Sequence, residues 1–284
     1  MDMQAKTCII TGATSGIGKE TAFELASSGM KVILCGRNQQ KCAEVCREII
    51  NNTGNSKIEY YTFDLSSLQS IKIFTEKIYR KYDKIDFLIN NAGIWEKERK
   101  LSSDGIEMTF SVNHLGTLFL TILLKELLAT SGNSSVINLS SSAYKQGKID
   151  LDDIEMKNRY NGFKAYASSK LINLLVMKYL SLKYNEIGIT INNIHPGVVM
   201  TGIYKDFNPL MKFAFKIFMI SPVKGAAPVV SLINTGKSQR STGRFFDRFE
   251  EKDILSDDNS QILGEQLWHI SIDYFKGYDL KIKN

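Results

Sequence analysis

The stretch Thr11-Gly12-Ala13-Thr14-Ser15-Gly16-Ile17-Gly18 decides the fold. An apolar run over 7–11 precedes it, and helical spacing over 21–26, closed by Gly29, follows it. Strand, glycine turn and helix succeed one another without a gap. A tight turn, close approach of backbone to a phosphate, and close helix–strand packing each need a missing side chain. The helix opening at the turn offers unpaired N–H groups to a pyrophosphate. Gly12, Gly16 and Gly18 carry the turn, with Thr14, Ser15 and Ile17 between them. The P-loop pattern is absent: Ala13 stands where its first glycine belongs, and Glu20 follows Lys19 where Ser or Thr is required. A dinucleotide is expected here, and ATP hydrolysis is not.

The same alternation repeats outward from this turn. Strands are predicted over 31–35, 58–63, 87–90, 135–139, 189–194 and 243–246. Helical patterns lie between most of them. Ala167, Leu171, Leu174, Leu175 and Leu182, closed by Gly188, form a strongly amphipathic one. Such alternation builds a parallel sheet covered on both faces, and right-handed crossovers wind it doubly. The expected fold is α/β: one Rossmann-like domain over 1–284, with about seven parallel strands and helices on both faces. A C-terminal helix is expected over 257–278. Ligands of these sheets bind beyond the carboxyl ends of the strands.

The 284 residues can bury a full core without disulfides or metal staples. Hydrophobic residues at 43% and charged residues at 23% are globular values, which exclude disorder, collagen and coiled coil. The net charge of +6 is spread along the chain. It gives no footing for a nucleic-acid partner and fits an anionic small molecule. Cys8, Cys35, Cys42 and Cys46 crowd the N-terminal part. Cys42 and Cys46 can share a helix face, but no His or second Cys pair completes a metal site. Free thiols, no metal and a reducing, cytoplasmic setting are expected. Residues 1–6 are too short and polar for a signal peptide. The apolar runs 118–124 and 213–220 fall short of the roughly 20 residues a membrane span needs, so no transmembrane segment is expected.

The second strand ends Leu34-Cys35-Gly36-Arg37-Asn38. It lacks the acid that bonds ribose hydroxyls in an NAD site. Arg37 can pair with a 2′-phosphate through its planar fork, and Lys19 adds positive charge. NADP(H) is expected in preference to NAD(H).

Tyr166 and Lys170 are four residues apart on one predicted helix, so phenol and ammonium share a face. A tyrosine near its ordinary pKa of about 10 is a poor base at neutral pH. Lowering it by two to three units takes about 3–4 kcal/mol. One ammonium about 4 Å away, at an effective dielectric near 20, supplies about that much. The pair therefore suffices for proton transfer at an alcohol or carbonyl oxygen. Alone it is a weak signal. Asn90-Asn91-Ala92-Gly93 ends the fourth strand, Ser140-Ser141-Ser142 the fifth, and His195-Pro196-Gly197 the sixth. Hydroxyl, phenol, amine and bare backbone thus converge on one sheet edge.

These motifs together resemble the short-chain dehydrogenase/reductase family, most closely its retinol dehydrogenase-like branch, over essentially the whole chain. The resemblance implies a seven-stranded Rossmann-like fold and NAD(P)-dependent interconversion of alcohol and carbonyl. It makes the glycine turn, from Gly12 to Gly18, the cofactor turn. Asp64, with Leu65 beside it, resembles the acid holding the adenine amino group. Asn91, Ala92 and Gly93 resemble the stretch beside the adenosine ribose. Pro196, Gly197, Val199 and Thr201 resemble the loop that holds the nicotinamide amide and phosphates. Tyr166 resembles the general acid/base, and Lys170 the residue that binds the nicotinamide ribose and lowers the tyrosine pKa. Asn113 resembles the helix-kink asparagine of the proton relay. Ser141 resembles the substrate-orienting serine, with Ser140 as the alternative. The segment 144–164 resembles an insertion of that branch. Relatives often pair through the helices of Asn113 and Tyr166, which implies a homodimer or homotetramer.

The segment 203–220 carries Tyr204, Phe207, Leu210, Met211, Phe213, Phe215, Phe218 and Met219. The family places its mobile substrate lid there, and such side chains favour a lipophilic substrate. A core helix and a membrane-surface helix anchored by Lys205, Lys212 and Lys216 are the other two readings. Asp150, Asp152, Asp153 and Glu155 read as a solvated loop face, and His114, His195 and His269 receive no metal or nucleophilic role. The expected function is a soluble NADP(H)-dependent carbonyl reductase or alcohol dehydrogenase. The alternatives are reduction of an activated C=C bond and a non-enzymatic NADP(H)-sensing module.

Overall fold

Strand β1 (Thr7–Thr11) is apolar or β-branched at nearly every position and buried after Thr7, as befits a strand covered on both sides. In the computed structural model, which describes residues 2–198, 220–278 and 280, it lies inside one sheet. The other strands are β2 (Lys31–Gly36), β3 (Ile58–Thr62), β4 (Phe87–Asn90), β5 (Ser134–Leu139), β6 (Ile189–His195), β7 (Phe245–Asp247) and β8 (Glu250–Lys252). Their order is β3-β2-β1-β4-β5-β6-β7-β8. The first seven are parallel, as the sequence predicts. The eighth was not anticipated: β8 returns antiparallel to β7. Glu250-Glu251-Lys252 has no apolar alternation to announce a strand, and its charges suit an exposed edge.

Successive strand residues point to opposite faces and divide the interior into two cores. Ile9, Ile33, Leu88, Val136 and Ile191 face one, and Ile10, Leu34, Ile89, Ile137 and Ile194 face the other. Helices α1 (Gly16–Ser27), α2 (Gln39–Thr53) and α8 (Pro222–Asn234) cover the second core. Helices α3 (Leu68–Tyr79), α5 (Thr117–Leu123) and α7 (Gly162–Asn185) cover the first. Short helices α4 (Met108–Phe110), α6 (Lys125–Thr130) and α9 (Lys237–Arg240) complete the layers, and a π-helical turn, Ser111–Gly116, joins α4 to α5.

The last helix, α10 (Asp258–Asp273), changes the character of α7. Its side chains Leu267 and Trp268 are buried in the core that α7 lines. Gly264 permits the approach, since a Cβ there would lie 3.0 Å from the Leu175 carbonyl. Phe275, just beyond, packs its ring against Phe119 of α5 in a tilted arrangement, 4.7 Å between ring centroids. Helix α7 is thus buried around most of its circumference and is not the two-faced helix its spacing predicts. Helix α10 packs along α7. No helix among the described residues is long and apolar enough to cross a membrane.

Candidate active site

A cleft of about 390 Å³ opens at the carboxyl ends of the parallel strands. Gly12, Thr14, Ser15, Gly16, Ile17, Arg37, Asp64, Leu65, Asn91, Ala92, Gly93, Ser141, Tyr166, Lys170, Pro196 and Gly197 all line it. Gly18 and Asn113 do not. Val199, Thr201 and nearly all of 203–220 lie outside the described residues.

One end of the cleft is the glycine turn. Gly12 and Gly16 have φ of 66° and 57°, in the left-handed region that only glycine enters freely. A Cβ on Gly12 would sit 2.9 Å from Asn91 Nδ2 and 3.0 Å from Ala92 Cα. The Asn91 amide nitrogen donates to the carbonyls of Thr11 and Gly12 at 2.7 and 3.1 Å. Thr11 Oγ1 in turn accepts from the N–H groups of Asn91 and Ala92, both at 3.0 Å. The Asn91 side chain therefore staples the turn to the end of β4. Gly18 faces the same staple: a side chain there would collide with the Asn91 amide and the Gly12 carbonyl.

Ser15 occupies the N-cap of α1 yet makes no capping hydrogen bond, so its hydroxyl leaves the first-turn N–H groups to a ligand. Arg37 is exposed at the end of β2 and forms no ion pair among the described residues. Lys19, expected to add charge, is instead paired with Glu48 at 2.6 Å. Asp64 Oδ1 accepts from the Ser66 N–H and hydroxyl at 2.9 and 2.8 Å, which fixes the carboxylate at the rim.

The other end holds Ser141, Tyr166 and Lys170. Burial drives the Lys170 pKa down to about 8. Its ammonium donates to the Leu139 carbonyl at 3.0 Å and lies 5.8 Å from the Tyr166 ring centroid. Gly93 makes room for it: a Cβ there would come within 3.3 Å of both Lys170 Nζ and Asn113 Oδ1. Ser141 Oγ accepts from the Ala143 N–H at 3.2 Å and keeps its own proton to give. Ser140 Oγ is buried without a partner among the described residues.

Asn113 stands behind the cleft wall. Its Oδ1 accepts from the Ile94 N–H at 2.8 Å, and its Nδ2 donates to the Ile94 carbonyl at 2.9 Å and to Ser169 Oγ at 3.0 Å. Both amide protons are committed, which fixes the side chain against Ile94 and Ser169. The sequence reading also passed over Thr11, Cys35, Phe63, Ile94, Leu139 and His195, which line the cleft. Position alone signalled most of them, since each adjoins a strand end or motif already singled out. Glu155 departs from the solvated loop face expected of it: it is buried and bonded, while its acidic neighbours Asp150 and Asp152 are exposed. Its Oε2 accepts from the Glu107 N–H at 2.9 Å and lies 3.5 Å from Arg99.

Comparison with known proteins agrees with this geometry. A sequence model of the short chain dehydrogenase family matches residues 6–211. Human retinol dehydrogenase 13 is 38% identical over 272 residues, 93% of this chain and 82% of that relative. Human retinol dehydrogenase 14 is 32% identical over 288 residues, 95% of this chain and 86% of the relative. A protein from Mycobacterium paratuberculosis superposes with a TM-score of 0.74 at 27% identity, covering 96% of this chain and 94% of its own. A short chain dehydrogenase from Escherichia coli CFT073, complexed with NADPH, superposes with a TM-score of 0.70 at 26% identity, covering 88% and 99%. Fold, site and kinship together make the chain an oxidoreductase of the short-chain dehydrogenase/reductase family. Within that family it belongs to the retinol dehydrogenase branch.

Proposed function

We propose that the chain interconverts a lipophilic aldehyde or ketone and its alcohol with NADP(H), using Tyr166 as general acid/base. The observation that carries this is the buried Lys170 ammonium, fixed by the Leu139 carbonyl beside the Tyr166 ring. A cation beside the ring favours the phenolate, which suits a tyrosine that gives and takes a proton. The open glycine cradle, the Ser15 hydroxyl that makes no capping bond, and Arg37, without an ion pair among the described residues, fit a dinucleotide with a 2′-phosphate. The glycine turn would hold the pyrophosphate, Arg37 the 2′-phosphate, Asp64 and Leu65 the adenine, and Asn91 to Gly93 the ribose. The bound nicotinamide supplies or accepts the hydride.

In reduction, the Ser141 hydroxyl hydrogen-bonds the carbonyl oxygen and orients it, keeping its own proton, while Tyr166 delivers the one proton that oxygen takes as the alcohol forms. In oxidation the phenolate of Tyr166 takes the hydroxyl proton. Lys170 holds the ribose hydroxyls and the phenolate charge. Relatives named retinol dehydrogenases support a long-chain, apolar alcohol or aldehyde as the first substrate class to try. Four free, buried cysteines support a reducing, cytoplasmic setting.

Tyr166→Phe tests the assignment. NADPH oxidation with retinal and straight-chain aldehydes should fall by at least about a hundredfold, as removal of a general acid does. NADPH binding should stay nearly intact. Undiminished turnover in Tyr166→Phe would refute the mechanism.

A further inference from the structure

The C-terminal helix makes a buried contact behind the site. His114 Nε2 lies 2.7 Å from Ser271 Oγ, and both residues are wholly buried. The single proton of the Ser271 hydroxyl goes to the Leu267 carbonyl at 2.6 Å. The serine must therefore accept from the histidine, so Nε2 carries the proton and Nδ1 does not. Burial holds His114 neutral, with its pKa pulled down to about 3.

His114 follows Asn113 inside the π-helical turn. Such a turn has no strong preference of its own and depends on its surroundings to hold its shape. Asn113 bonds Ile94 on one side and Ser169 on the other. Ser169 Oγ donates to the Tyr166 carbonyl at 2.8 Å. A second contact closes the frame: Tyr274, just past α10, donates its hydroxyl to Glu155 Oε1 at 3.0 Å. Glu155 accepts from the Glu107 N–H, and the Glu107 carboxylate caps α4 through the N–H groups of Thr109 and Phe110. The Phe110 ring lies between His114 and Tyr274, at 5.3 and 5.7 Å.

We infer that Ser271 and His114 are positioning residues, through which the C-terminal helix holds the Asn113 turn, and with it Tyr166, in working register. The inference rests on the proposed role of Tyr166. It gives α10 a positioning role although none of its residues enters the cleft.

The test combines Ser271→Ala, Ser271→Thr and Tyr179→Phe in the full chain. Tyr179→Phe cuts the 2.8 Å bond to Glu265, so it loosens α10 from α7 away from the π-turn. Amide hydrogen exchange over 111–116 and steady-state kinetics with NADPH and decanal are the readouts. Ser271→Ala should speed exchange over 111–116 and lower kcat about tenfold, the effect of one orphaned buried donor. KM for NADPH should stay within about twofold, because the glycine turn is untouched. Ser271→Thr should restore both, and Tyr179→Phe should change neither. If Ser271→Ala fails to fold, Tyr274→Phe takes its place with the same expected result. Unchanged exchange over 111–116, or an equal kcat loss in Tyr179→Phe, overturns the inference. A wild type that reduces no carbonyl refutes the proposed function instead, and the exchange data still decide this inference.

Discussion

Lys170 sits on an electrostatic slope that can be measured. Burial lowers its pKa from 10.5 to about 8, so the folded chain loses that proton more readily than the unfolded chain. Between those values the unfolded state binds the extra proton, and stability from this group rises with pH. The contribution is complete above 10.5 and is lost as pH falls through about 8. Lys170→Met abolishes that dependence. Urea unfolding of both proteins across the window should show the wild type gaining stability relative to the variant as pH rises. A constant difference would contradict the burial of this ammonium. At this scale the sequence was legible where chemistry and spacing coincide, as at Tyr166 and Lys170. It was opaque at Glu155 and His114, because burial of a charged or basic group is set by elements far away in the chain. Glu155 looked like one of four loop acids until Glu107, Arg99 and Tyr274 were brought to it.

Among the elements, the glycine turn was the most legible. Strand, turn and helix are encoded contiguously, and each glycine answers a local need. Gly12 shows the size of that need. With φ at 66° and Asn91 Nδ2 at 2.9 Å from any added Cβ, Gly12→Ala combines backbone strain with a clash. It should lose about 1–2 kcal/mol of stability from the left-handed backbone alone. It should also weaken NADPH binding, because the Asn91 staple must shift. Thermal unfolding and cofactor titration check the two effects separately. Wild-type stability and binding in Gly12→Ala would contradict the cradle. The π-turn left no mark in hydrophobic spacing, since it adds one residue per turn; only the resemblance of Asn113 to a helix-kink asparagine pointed to it. Strand β8 was hidden because an exposed edge of Glu and Lys carries no alternation, and the true surroundings of α7 were hidden because α10 covers it from almost a hundred residues downstream.

On the scale of the whole molecule, the sheet separates two tasks. The β1–β2 side holds Arg37 and the glycine turn, and the β4–β6 side holds Ser141, Tyr166 and the Asn113 turn behind them. The cofactor end offers the sharpest test. That test is fluorescence titration of the purified chain with NADPH and with NADH, for the wild type and for Arg37→Ala. The account predicts that the wild type binds NADPH at least about tenfold more tightly, a difference of about 1.4 kcal/mol, and that Arg37→Ala erases the preference without harming NADH binding. Equal affinity for the two cofactors in the wild type, or a preference that survives Arg37→Ala, would contradict it.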